Sequence, residues 1–112
     1  MTKPSIRTYS RYSRDAAALM GKLIRLGRIE RKMTAQDLAD RAGISRGLLQ
    51  RIEKGDLKCA IGTVFEVAAI TGIKLFEADG SAMTSHIDRA DDRLALLPKY
   101  VRHPVKAIKD DF

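Results

Sequence analysis

The chain has 112 residues, 45% of them hydrophobic and 31% charged, which is material for one domain with a modest core and argues against wholesale disorder. No apolar run approaches the roughly 18 residues that span a bilayer, and the opening MTKPSIRTYSRYSR has basic residues without the apolar stretch of a secretion signal, so the expected workplace is the cytoplasm and no membrane partner is expected. The net charge of +7 favours a polyanionic partner, and its excess lies in residues 1–32, which hold nine Lys/Arg against two Asp/Glu.

In chain order, a basic arm over residues 1–15 precedes the first periodic segment. From Ala16 to Lys32 there is no proline, and Met20, Leu23, Ile24 and Gly27 recur at the spacing of one helical face, which predicts a first helix. Leu19, Leu26 and Ile29 widen its apolar stripe, while Lys22, Arg25, Arg28, Arg31 and Lys32 make its polar side basic. Thr34 reads as the N-cap of a second helix ending near Ala42, with the Asp37 carboxylate in the first turn, where unpaired N–H groups favour negative charge. Gly43 suits the left-handed stop of that helix. After a tight turn through Ile44, Ser45 caps a third helix that runs to Lys54, with Gly55 as its terminator. Leu48, Leu49 and Ile52 form its apolar side, and Arg46, Gln50, Arg51 and Lys54 stay polar.

Residues 60–71 place Ile61, Val64, Phe65 and Ala68 on one helical face and predict a buried fourth helix. The weak alternation of Ile73, Lys74, Leu75, Phe76 and Glu77, bounded by Gly72 and Gly80, predicts a short strand. A lone strand leaves backbone groups unpaired, so it is expected to pair with the same strand of a second subunit. Residues 81–112 read as a tail with a short helix around HIDRADDRLALLP and a break at Pro104. The domain proper is therefore residues 16–80, and the fold expected is all-α with that one strand.

The segment TAQDLADRAGISRGLLQRIEKG, residues 34–55, is two short helices joined by a glycine-containing turn, the unit in which the second helix can project into a groove. Its Gln36, Leu38, Ala39, Ala42, Gly43, Ile44, Ser45, Ile52, Glu53 and Gly55 resemble the Xre/Cro family of repressor-like helix-turn-helix proteins, a resemblance that extends over residues 16–76. The resemblance implies a bundle of four to five helices that binds double-stranded operator DNA as a homodimer. In such a docking the N-terminal part of the second helix of the motif meets base edges. Ser45, Arg46 and Gly47 stand there, with Gln50 and Arg51 a turn later. Gly47 has no side chain with which to read a base.

By the same resemblance Gln36 and Lys54 hold DNA phosphates. Glu53 pairs internally with a basic residue of the first helix, with Arg28 as first candidate. The run RGLLQRIEKGDLKCAIGTVFEVAAITGIKLF is similar to HipB-like antitoxins, which implies repression of its own operon and capture of a HipA-like Ser/Thr kinase toxin; a stand-alone or phage-type repressor is the alternative. Little points to an enzyme or a cofactor. His86 and His103 sit in the tail without ligands at metal spacing, Cys59 is single, and no phosphate loop or nucleophile elbow appears.

Overall fold

The computed structural model describes residues 8–103, which fold into five α-helices and one 3-10 turn. They form two compact units divided between Glu77 and Ala78. The first unit holds α1 (Arg11–Glu30), α2 (Ala35–Ala42), α3 (Arg46–Glu53), α4 (Ile61–Ile70) and the 3-10 turn Leu75–Glu77; the second holds α5 (Gly80–Ala95).

The first helix starts five residues earlier than the apolar periodicity predicts. Ser10, in extended backbone, accepts a hydrogen bond from the Ser13 N–H at 3.1 Å and so closes one orphan donor of the first turn. Arg11 and Arg14 of the expected arm are therefore helical, whereas Lys3 and Arg7 lie outside the described residues. Towards the core α1 presents Gly21, Ile24, Gly27 and Arg28. Gly21 is there for proximity: a Cβ at this position would stand 2.5 Å from the Glu53 carbonyl oxygen and 2.6 Å from that of Ile52, so its absence lets α1 cross the end of α3 backbone to backbone. Leu19, Leu26 and Ile29 remain exposed on the other side.

Helix α2 opens with a reciprocal capping box. The Thr34 hydroxyl accepts from the Asp37 N–H at 3.0 Å while the Asp37 carboxylate accepts from the Thr34 N–H at 2.9 Å, with Asp in the place more often held by Glu or Gln. Gly43 closes the helix at φ 70°, and the N–H of Ile44 donates to the Ala39 carbonyl at 3.0 Å, a Schellman ending. That ending sets the turn into α3, whose first N–H groups are served by the Ser45 hydroxyl, 3.0 Å from the Leu48 nitrogen. Ile24, Leu38, Ala39, Leu49, Ile52, Val67 and Ala68 form one buried cluster shared by the four helices. Helix α4 is less buried than its pattern suggests, since only Val67 and Ala68 are fully enclosed and Ile61 is 68% exposed.

The expected strand is not formed. After α4 stops at Gly72 (φ 84°), the Ile73 N–H returns to the Ala68 carbonyl, and Leu75, Phe76 and Glu77 make a 3-10 turn with φ 55° at both Phe76 and Glu77. Left-handed backbone at two successive residues is incompatible with a pleated strand. Ile73 and Leu75, behind the weak alternation, are taken up within the subunit instead, while Phe76 stays 73% exposed. Ile73 and Leu75 pack against the core, and the Phe76 ring meets Phe65 edge to face at 6.4 Å. Ile73, Lys74, Leu75, Phe76 and Glu77 therefore offer no ladder to a second subunit.

In the second unit the tail helix is longer than expected, a sixteen-residue α5 capped by Asp79, whose carboxylate accepts from the Ala82 N–H at 2.9 Å. Val105, Ile108 and Phe112, apolar residues of the expected tail, lie outside the described residues. No described helix is long and apolar enough to cross a membrane.

Candidate nucleic-acid interface

Helix α3 is held by its inner face, where Leu49 and Ile52 are buried, and by its C-terminal end. There Glu53 receives a fork from Arg28 of α1. The Arg28 Nε donates to Oε2 at 2.8 Å and Nη2 to Oε1 at 3.2 Å, while Nη1 donates to the Met33 carbonyl at 3.1 Å. Both side chains are about nine-tenths enclosed, so this is a charge-assisted, bidentate pair shielded from solvent, and Glu53 faces the protein as the resemblance implied. A second arginine of α1, Arg31, donates to the Thr71 carbonyl at 2.7 Å and satisfies an orphan acceptor at the end of α4. The buried Leu49 and Ile52 and the Arg28–Glu53 fork fix α3 against its scaffold and leave the opposite face to solvent.

On that outer face Arg46, Gln50 and Lys54 succeed one another at i, i+4 and i+8, with Gly47 and Arg51 alongside, and all five are exposed. The structure thus brings the expected contact residues of α3 onto one surface. Ser45 sits at its edge with an oxygen already engaged in capping, which leaves its hydroxyl proton free to donate. Nothing lies within 4 Å of a Cβ built on Gly47.

Arg51 is not a free cation. Its Nε donates to the Asp56 Oδ2 at 2.7 Å, and the other oxygen of Asp56 accepts from the Lys58 N–H at 2.8 Å. The Asp56 carboxyl is held below its ordinary pKa by the Lys58 amide first and the Arg51 guanidinium second, and the hydrogen bond that Arg51 donates to Asp56 pushes Arg51 further towards its charged form. Because Asp56 takes the Nε side, the two Nη groups remain for an outside acceptor. Sequence reasoning missed Asp56, although a carboxylate just past the glycine that ends a basic helix is a readable signal. Cys59 next to this loop has its thiol pKa pushed up, by burial first and by the Asp56 charge second, which makes it a poor nucleophile.

Gln36 is exposed in the first turn of α2, where its amide nitrogen donates to the Asp40 Oδ1 at 2.8 Å. Such an i,i+4 pair on a helix surface is worth only about 0.2–0.5 kcal/mol. Among the described residues there is no cluster of His, Cys, Asp or Glu able to hold a metal ion.

An arrangement of two capped helices, a left-handed glycine turn and a second helix with a locked inner face and a basic outer one is a helix-turn-helix unit. Residues 24–77 match the family model HTH_3, Helix-turn-helix, which covers α2, the turn, α3 and α4 together with the second part of α1. The match supports a DNA-binding transcription regulator of the Xre/Cro type. No curated protein matches the chain.

Proposed function

We propose that the protein is a sequence-specific transcriptional repressor that lays α3 in the major groove of operator DNA and binds as a homodimer. The observation that carries the reading is the outer face of α3, with Arg46, Gln50, Arg51 and Lys54 exposed on a helix anchored by Leu49, Ile52 and the Arg28–Glu53 fork. In this reading Arg46 and Arg51 fork onto guanine O6 and N7, Gln50 takes an adenine edge, and Ser45 donates to a base or a phosphate beside them. Gly47 leaves a gap on this face where no side chain reaches a base. Gln36 and Lys54 grip phosphates on either side and set the register without reading sequence.

Selection of binding sites from random duplex DNA, followed by footprinting of the selected site, tests the proposal. The expected result is one enriched motif protected in the major groove; equal binding to all sequences would refute it.

The antitoxin role, in which the same protein neutralises a HipA-like kinase and represses the shared operon, is supported by the similarity of residues 46–76 to HipB-like chains. Copurification of the tagged protein with the product of the neighbouring gene decides between that role and a stand-alone repressor.

A further inference from the structure

Helix α5 is sixteen residues long and none of its residues is buried. Helices of about this length are marginal in water without packing, and Gly80, Ser81, Thr84 and Ser85 in its first two turns are weak helix formers. The Asp79 cap serves its first turn only. What would stabilise the helix is burial of the stripe that it carries. Met83, Ile87, Ala90 and Leu94 recur at offsets 0, 4, 7 and 11, alternate steps of four and three that define a coiled-coil seam over the length of the helix. Ile87 and Leu94 on this seam are each more than half exposed.

We propose that α5 pairs in parallel with α5 of a second copy of the chain along this seam, which supplies the homodimer proposed above with its surface and rests on that part of the reading. The charges flanking the seam select both the occupant and the direction. In a parallel pair, a residue just before one seam position faces the residue five places on in the other helix, which sets His86 opposite Asp91 of the second copy, twice by symmetry. An antiparallel pair that matches Ile87 with Ala90 sets His86 against Arg93, and one that matches Ala90 with Leu94 sets Asp91 against Asp91 and Arg93 against Arg93, all unfavourable contacts.

The imidazole is already oriented for the role. The Arg89 Nη2 lies 2.6 Å from the His86 Nδ1, and since a guanidinium only donates, the ring proton stays on Nε2, available to a carboxylate across the seam. Ala90 in the middle of the seam admits close approach and keeps the association in a range that concentration can regulate.

Sedimentation equilibrium of the full chain without DNA tests the pairing. Wild type is expected to be a dimer at micromolar concentration, and Ile87→Glu with Leu94→Glu a monomer. Ile87 and Leu94 are each more than half exposed, so these changes are expected to spare the fold of the chain. His86→Glu, which sets two carboxylates face to face, is expected to weaken the dimer several-fold, and Asp91→Lys in the same chain to restore it.

Direction is read by oxidation in a Cys59→Ser background. Met83→Cys alone should cross-link to its counterpart, whereas an antiparallel pair would join Met83→Cys to Leu94→Cys. A monomeric wild type, a dimer unaffected by the glutamates, or the 83–94 cross-link overturns the proposal. A dimer that selects no DNA motif would instead refute the reading of α3 and leave this one standing.

Discussion

Arg51 shows how much the reading of a single side chain changes once its neighbours are known. As a sequence position it is one more cation on a basic helix; in the structure it is a guanidinium steered by Asp56 through one edge. Arg46→Ala and Arg51→Ala are each expected to weaken specific binding by about 1–3 kcal/mol and to relax preference at particular base pairs. Asp56→Ala is expected to lower specificity while sparing affinity for scrambled DNA, because it frees Arg51 without removing its charge. Fluorescence anisotropy on operator and scrambled duplexes measures both; unchanged operator-to-scrambled ratios in all three variants would remove α3 from the role of reader.

The Arg28–Glu53 fork carries a different expectation at the same scale. Removal of one partner from an enclosed pair leaves an uncompensated charge, so Glu53→Gln and Arg28→Ala should each lower stability by about 3–5 kcal/mol in urea unfolding. Replacement of the pair together by Met and Leu should cost clearly less than either.

At the scale of elements, the helix boundaries that carry chemical signals were legible and those that depend on packing were not. Thr34, Gly43, Ser45 and Gly55 mark their ends through caps and left-handed backbone, and each does so in the structure. The start of α1 was placed too late because its first turns carry no buried residue, so an apolar pattern cannot find them; only the Ser10 cap speaks for them. The strand failed for the opposite reason. Ile73 and Leu75 are apolar because they pack against the core around a left-handed turn, while Phe76 stays largely exposed against Phe65, and alternation over five residues cannot separate that from a pleat.

The legible caps also set a pH dependence. Asp37 is held below its ordinary carboxylate pKa of 3.8 by the backbone N–H of Thr34 first and its hydroxyl second. A lowered folded-state pKa contributes stability above the unfolded value and loses it as pH falls through the folded one. Urea midpoints are therefore expected to be flat near neutrality and to decline below about pH 4, with a shallower decline in Asp37→Asn.

For the whole molecule, the basic excess of residues 1–32 and the outer face of α3 imply binding that weakens steeply with salt, since each phosphate neutralised contributes about 0.9 to the logarithmic slope. A homodimer adds symmetry to that expectation. The selected operator should be an inverted repeat with half-sites about one helical turn apart, and displacing one half-site by five base pairs should abolish tight binding. Tolerance of that displacement in a gel-shift assay would show that the two reading heads act independently. Here the sequence was informative about what the first unit does and reticent about what the second does, because the motif is built from local spacing while the partner of an exposed helix is written only in its complement.

The empty space around Gly47 bears on how such a protein changes its target over time. Gly47 lies on the exposed face of α3 with nothing within 4 Å of where a Cβ would stand, and a glycine within a helix is about 1 kcal/mol less favourable than alanine. Gly47→Ala or Gly47→Gln should therefore stabilise α3 slightly while adding a new contact in the groove. Parallel unfolding curves and site selections on these variants would detect a lineage's cheapest route to a new operator, a vacant slot in the reading head that any side chain can enter without disturbing what lies beneath.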